Sequence, residues 1–307
     1  MFSKFIGLVQ KIVDRFRFID RFFERVYEEK QNEPNLFTHF VKNYLFLRRE
    51  GGYIWKSIKF CLVQKKENVR FFSQNAEKVD TVANFLADEQ SKKIYTGMIK
   101  FRQTHKREDF PIATLEEIEY FIDKLKFDKD EVFIDCGAYI GDTIDDFLIH
   151  CQEYKQIVAF EPEPKNFEKL KAKYGSYPKI TLLNAGVYDR EGVINFTGTE
   201  ISGTVFTEGM AKANIISVEI KTIDNLNLEK VTFIKMDIEE AELNALKGAE
   251  KTIRRDKPKL AICIYHCNED MIRIAEYIHN LIPEYKLYVR QHSLFPSVAS
   301  TVIYAIP

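Results

Sequence analysis

The chain of 307 residues is short of several features that would fix a function class at once. It has no charge excess: 45 Lys and Arg stand against 46 Asp and Glu, a formal charge of -1, so no global field gathers nucleic acid and no polyanionic partner is expected. Its five cysteines, Cys61, Cys136, Cys151, Cys263 and Cys267, include no CxxC pair, and an odd number cannot all be bridged internally, which favours a reducing compartment such as the cytosol. Cys263, His266 and Cys267 lie close together, but no second cluster completes a ligand set, and no metal is assigned. Internal repeats and low-complexity tracts are absent as well. What remains is a globular composition, 45% hydrophobic, enough for one good-sized core or one core plus a smaller helical lobe.

The opening "MFSKFIGLVQKIVDRFRFIDRFFERV" is aromatic and basic, yet charges interrupt it too often for a signal peptide or a membrane span. Phe2, Phe5, Val9, Ile12, Phe16, Ile19, Phe23 and Val26 recur three and four apart, which predicts an amphipathic helix over residues 1–30 with its arginines off the apolar face. Such a helix packs on its own protein or on a twin subunit, giving a homo-oligomer; the alternative is an interfacial anchor at the inner face of the membrane. The interleaved acids Asp14, Asp20, Glu24, Glu28 and Glu29 dilute attraction to anionic lipid and favour packing.

From Ala76 to about His105 the pattern stays helical, with Asp88 placed to cap a second helix. Thr114 and Glu117 have the spacing of a capping box, which predicts a further helix carrying Ile118, Phe121 and Leu125. Residues 1–112 therefore read as a helical region and 113–307 as a second domain, an α/β fold. Its predicted strands are Val132–Asp135, Ile157–Glu161, Ile180–Ala185, Val231–Asp237, Leu260–Tyr265, Lys286–Arg290 and Thr301–Ala305, a seven-stranded Rossmann-like sheet. Helices are predicted near Asp142–Cys151, Lys165–Tyr174, Ala241–Arg254 and Glu269–Leu281, and a hairpin excursion joins Val193–Phe196 to Ser217–Ile220. Only a loop separates the last two strands, so the sheet should end in an antiparallel hairpin.

The stretch "VFIDCGAYIGDT", Val132 to Thr143, carries two glycines where an apolar strand ends, between Asp135 and Asp142. Gly137 and Gly141 let backbone approach a ligand at the carboxyl edge of the sheet, and the following helix start favours electronegative groups. The next strand ends in "AFEPEP", putting Glu161 where a carboxylate can accept two hydrogen bonds from a ribose diol. These features indicate an adenosine-containing cofactor. The GxxxG spacing lacks the close glycines that admit a pyrophosphate, which weakens the rival reading as a nucleotide-dependent oxidoreductase.

With Asp135 in front, the stretch resembles the first motif of the class I S-adenosylmethionine-dependent methyltransferases. The segment "FIKMDIEEAELNALKGAEKTI", Phe233 to Ile253, is similar to the KxDxEGxExxxLxGA signature of the FkbM family of methyltransferases, which mostly methylate hydroxyls of sugars and natural products. The likeness extends from Phe85 to the end of the chain, with Glu240 where the family has glycine. The resemblance implies S-adenosyl-L-methionine as cofactor, with Asp135, Gly137, Tyr139, Gly141, Asp142, Thr143, Glu161, Pro162, Ala185, Asp237 and Arg102 as its pocket. It also implies a sugar or other small-molecule acceptor, free or lipid-linked, approached by Lys235, Glu242, Arg290 and His292. His266, at the end of the fifth strand, is the candidate base for the acceptor hydroxyl. Asp237 and Glu239 can orient or deprotonate the acceptor, or hold a divalent ion. The polar loop Glu200–Met210 reads as a lid over the acceptor. A catalytically silent binding or scaffold protein is the competing class, motivated by Glu240; against it stand Asp135, Gly137, Gly141 and Glu161, which together no other role requires.

Overall fold

A computed structural model describes residues 54–111, 114, 117–198, 203–205, 215–293 and 295–307. The expected helix over residues 1–30 lies outside them, as does the expected lid at Glu200–Met210 apart from a short strand, Gly203–Val205. The chain divides into two compact units, residues 1–64 and 65–307. Helix α1 (Ile54–Gln74) accounts for the described part of the first. The expected boundary at 112/113 does not coincide with this division: the helices that precede the sheet belong to the same unit as the sheet. Among the described residues no helix is long and apolar enough to cross a membrane.

In the second unit, which begins within α1, helices α2 (Ala76–Phe85) and α3 (Glu89–Thr104) follow. Asp88 caps α3 as its position predicts, its carboxylate accepting from the Ser91 amide at 2.7 Å. The α/β part then runs β1 (Val132–Cys136), α4 (Asp142–His150), β2 (Gln156–Phe160), α5 (Pro164–Tyr174), β3 (Ile180–Leu183), β4 (Gly186–Val187), β5 (Gly192–Gly198), β6 (Gly203–Val205) and β7 (Ile215–Lys221). It continues through β8 (Phe233–Met236), α6 (Glu242–Lys247), α7 (Glu250–Asp256), β9 (Lys259–Cys263), α8 (Asp270–Leu281), β10 (Lys286–Gln291) and β11 (Thr301–Ile306). The main sheet has seven strands in the order β10-β11-β9-β8-β1-β2-β3, parallel except for β11, which pairs antiparallel with both β10 and β9. The terminal antiparallel hairpin is present, with β11 inserted inside the edge strand. The hairpin excursion is the second sheet, β4-β7-β5-β6.

Central parallel strands are covered on both faces and so read as continuous apolar runs; every residue of β1 is buried. Alternation sends Ile134, Ile234 and Leu260 to one core and Phe133, Phe233 and Ala261 to the other. In the second core Phe133 stacks on Phe233 and on Phe147 of α4, both at 4.8 Å between ring centres.

Two helix predictions are corrected. The segment 117–125 is not a helix but a series of turns, closed by an isolated bridge between Ile118 and Phe121. Its capping-box glutamate is engaged elsewhere: Glu117 accepts from the Asp123 amide at 3.0 Å and from Arg290 Nε at 3.3 Å. Tyr120 moreover sits at φ 70°, a left-handed backbone that ends a helix. The predicted helix Ala241–Arg254 is split into α6 and α7 around Gly248, where any Cβ would lie 2.0 Å from the Tyr188 carbonyl oxygen.

Candidate active site

The tips of β1, β2 and β8 converge on a cavity of about 320 Å³, within the size range of small-molecule sites. The turn after β1 bends sharply: Gly137, Tyr139 and Gly141 have φ of 83°, 49° and 89°. Both glycines are required by neighbouring protein groups rather than by a ligand alone. A Cβ on Gly137 would lie 2.0 Å from the Asp237 carbonyl oxygen, and one on Gly141 would lie 2.5 Å from the Tyr174 ring. Gly141 then caps α4.

Glu161, just beyond β2, is buried and splits its oxygens between two amides: Oε2 accepts from Tyr139 at 2.9 Å and Oε1 from Glu163 at 2.8 Å. Burial raises its pKa to about 7, although both amides pull the other way. Parallel pairing sets Asp135 of β1 beside Lys235 of β8, and the two form a buried ion pair at 3.2 Å. Lys235 also donates to the Gly137 carbonyl at 2.8 Å. Burial opposes its charge, but Asp135 and Asp237 hold its pKa above the ordinary lysine value.

Asp237, at the tip of β8, is fixed by two phenols: Tyr265 donates to Oδ1 at 3.0 Å and Tyr120 to Oδ2 at 2.9 Å. His266 Nε2 lies 3.2 Å from Asp237 Oδ1 and 3.6 Å from Glu239 Oε2, while Nδ1 lies 3.0 Å from Glu242 Oε1. Burial opposes charge on the ring, yet Asp237 and Glu242 outweigh it and raise its pKa to about 11. Asp237 in turn stays ionised far below the usual carboxylate range: burial would raise it, but His266, Lys235 and Tyr120 prevail. Glu239 and Glu240 take φ of 54° and 74°, so Glu240 keeps the left-handed backbone suited to the glycine it replaces.

Of the residues proposed from sequence, Gly137, Tyr139, Asp142, Thr143, Glu161, Pro162, Ala185, Lys235, Asp237 and Glu239 line the cavity. Asp135 and Gly141 support it from behind through the contacts above. Glu242, expected beside the acceptor, is wholly buried, accepts from the Ile238 amide at 2.8 Å and sits behind the cavity wall. His266 does not stand free at the cavity: its side chain is only 5% exposed and lies among carboxylates that favour its protonated form. Arg102 lies apart from the cavity lining, donating to Asn268 Oδ1 at 3.1 Å and to the Tyr265 carbonyl. Arg290 is a buried cross-link to Asp88, Ser91 and Glu117, not an acceptor contact. His292 pairs with the Tyr304 hydroxyl at 2.9 Å, and burial pushes its pKa down to about 4.

Sequence reasoning missed Glu119, Tyr120, Tyr265 and Ser300, all of which line the cavity. Tyr265 precedes His266 and could have been found at the strand tip; Glu119 and Tyr120 were hidden inside the segment read as a helix. The pKa of Glu119 is raised to about 7, chiefly by burial and then by the Asp237 charge, with a Ser300 hydrogen bond opposing. The second sheet supplies the apolar wall through Val187, Ile194, Val218 and Ile220.

Residues 135–288 match the sequence profile of the methyltransferase FkbM domain. The hexuronic acid methyltransferase AglP of Haloferax volcanii is 29% identical over 132 residues, covering 41% of this chain and 53% of that protein. The 2-O-methyltransferase NoeI of Sinorhizobium fredii is 24% identical over 149 residues, 42% of this chain and 61% of that protein. A crystal structure of methyltransferase FkbM from Methylobacillus flagellatus superimposes with a TM-score of 0.65 at 26% identity, covering 77% of this chain and 60% of that one. The chain thus spans little more than half the length of these relatives. The profile takes in half of its residues, the glycine turn after β1 and the acidic strand tip together, and the chain belongs to the FkbM family of methyltransferases.

Proposed function

We propose that the protein is an S-adenosylmethionine-dependent O-methyltransferase acting on a sugar hydroxyl of a surface glycan or secondary metabolite, free or lipid-linked, in the cytosol. The observation that carries this reading is Glu161, a buried carboxylate at the second strand tip, in one cavity with the Asp237 and Glu239 carboxylates of the fourth. The residues fit the cofactor. Each Glu161 oxygen accepts one amide and has acceptor capacity left for a ribose hydroxyl. Ala185, Val187, Val218 and Ile220 offer an apolar wall to an adenine ring, and Asp142 and Asp237 offer negative charge to a cationic methionine end. When bound, the cofactor supplies an electrophilic methyl group; the chain has to orient the acceptor oxygen and take its proton.

At the acceptor end, Tyr120 and Tyr265 hold Asp237 in place, and carboxylates suited to hydroxyl donors line the wall. Glu119, with its pKa near neutrality, receives the hydroxyl proton in its ionised form. Support for a sugar acceptor comes from the names of the haloarchaeal and rhizobial relatives. Calorimetric titration with S-adenosylhomocysteine tests the cofactor: one site per chain is expected, with affinity at least tenfold weaker in Glu161→Ala. Binding of NAD in place of S-adenosylhomocysteine would overturn the reading and favour an oxidoreductase.

A further inference from the structure

Behind the cavity wall, the turn from β8 into α6 carries Asp237, Glu239 and Glu242 around the tip of β9, where His266 stands. One ligand-capable atom from each of Asp237, Glu242 and His266 lies within 4.8 Å of the other two. The closest approaches are 3.2 Å from Nε2 to Asp237 and 3.0 Å from Nδ1 to Glu242, with Glu239 Oε2 at 3.6 Å from Nε2. An imidazole binds one ion through one nitrogen, so the 4.8 Å grouping is the relevant distance, and side-chain rotation has to bring the three donors to the separation of about 3 to 4 Å found around one ion with bonds of about 2.1 Å. One buried atom is left without a partner, and one buried ring faces its carboxylate partners without an aligned hydrogen bond. Glu242 is 0% exposed and its Oε2 has no hydrogen bond; the His266 side chain is 5% exposed and neither ring nitrogen makes an aligned one. Buried polar atoms of this kind are rare, and a bound ion is one partner that satisfies them. The outer shell is also in place, because Tyr120 and Tyr265 donate to Asp237, and the Ile238 amide donates to Glu242.

We propose that Asp237, Glu242 and His266, with Glu239 beside them, form a binding site for one divalent cation at the acceptor end of the cavity. One imidazole with carboxylates suits Mn²⁺ or Zn²⁺, whereas Ca²⁺ prefers an all-oxygen shell. Asp237 and Glu239 both line the cavity, so a cation bound to them faces it and takes an acceptor oxygen as a further ligand. The assignment is independent of which methyl donor the protein uses.

The test is a titration of the full chain, stripped with EDTA, with Mn²⁺ alone and with Zn²⁺ alone. Calorimetry follows both ions, and loss of the free-ion electron spin resonance signal follows Mn²⁺. One ion per chain is expected, with affinity at least tenfold weaker in His266→Ala and in Glu242→Gln. Because these two residues are buried, Glu239→Gln serves as the variant on a partly exposed side chain, and it should weaken the ion without altering the fold seen by circular dichroism. No uptake at millimolar ion by the unmodified protein would overturn the inference; so would uptake that all three variants leave unchanged. Parallel titration with S-adenosylhomocysteine separates the two readings: cofactor binding without ion uptake removes the cation site and leaves the proposed methyl transfer standing.

Discussion

In the proposed function Glu161 accepts ligand hydroxyls as a carboxylate, in surroundings that resist its charge. Burial raises its pKa to about 7, above its ordinary value of 4.5. A ribose diol donates to the ionised form and releases the proton, so affinity for S-adenosylhomocysteine should fall as pH drops below about 7, by up to about tenfold per unit, and level off above it. Calorimetry across that range checks this, and Glu161→Gln should flatten the profile at a weaker plateau; a flat profile in the unmodified protein would refute it. Stability of the ligand-free protein carries the opposite sign. A raised folded-state pKa contributes stability that is full below 4.5 and is lost as pH rises through about 7. Glu161 was legible in the sequence because a carboxylate at the end of an apolar run has a fixed address at the sheet edge. Glu119 was not, since its place at the cavity depends on Ser300, far along the chain.

Elements were readable wherever local pattern and burial agree. The parallel strands and α4, α5 and α8 fall close to where periodicity puts them. The segment 117–125 failed because the partner that decides it, Arg290, lies 173 residues away from Glu117, and no window shows that competition. The turn after β8 was read with a glycine missing, and it does hold a residue in the left-handed region, Glu240, φ 74°. That conformation costs an ordinary side chain about 1 kcal/mol, whereas glycine loses somewhat more chain entropy on folding. Glu240→Gly should therefore leave stability unchanged or raise it by up to about 1 kcal/mol, with cofactor affinity retained. Urea unfolding followed by tryptophan-independent circular dichroism checks it; a clear loss of stability would show that Glu240 supports the turn through its side chain.

Within the second unit one buried cation joins three segments that are far apart in sequence. Arg290, 2% exposed on β10, reaches Asp88 at the start of α3 with two nitrogens, at 2.9 and 3.3 Å, and Glu117 in the turns before β1. Removing it takes the buried guanidinium from two carboxylates that keep only their amide, hydroxyl and surface-lysine contacts, so Arg290→Ala should cost about 3 kcal/mol, read from the urea midpoint, while the folded fraction binds S-adenosylhomocysteine with unchanged affinity. A selective loss of ligand binding at full stability would restore Arg290 to the site. Acid acts on the same link. Burial would raise the Asp88 pKa, but Arg290 and Ser91 hold it at about 2, so this stability is present above 3.8 and is lost as pH falls through about 2. Sheet order at this scale was legible only in outline: a loop between the last two strands implies a hairpin, but not that β11 slots inside β10.

The crowding at Gly137 changes what its presence can testify to. The Asp237 carbonyl oxygen occupies the space a Cβ would need, and the Tyr174 ring does the same at Gly141, with or without a ligand in the cavity. The Asp135–Lys235 pair is likewise sealed inside the protein. Three of the four residues that argued against a silent scaffold are thus architectural, and a descendant that abandoned its chemistry would still inherit them. Glu161 alone among the four presents to the cavity a side chain with acceptor capacity beyond its two amide partners, so the first trace of a lapsed enzyme in this lineage would be written at that carboxylate while the glycines stayed in place.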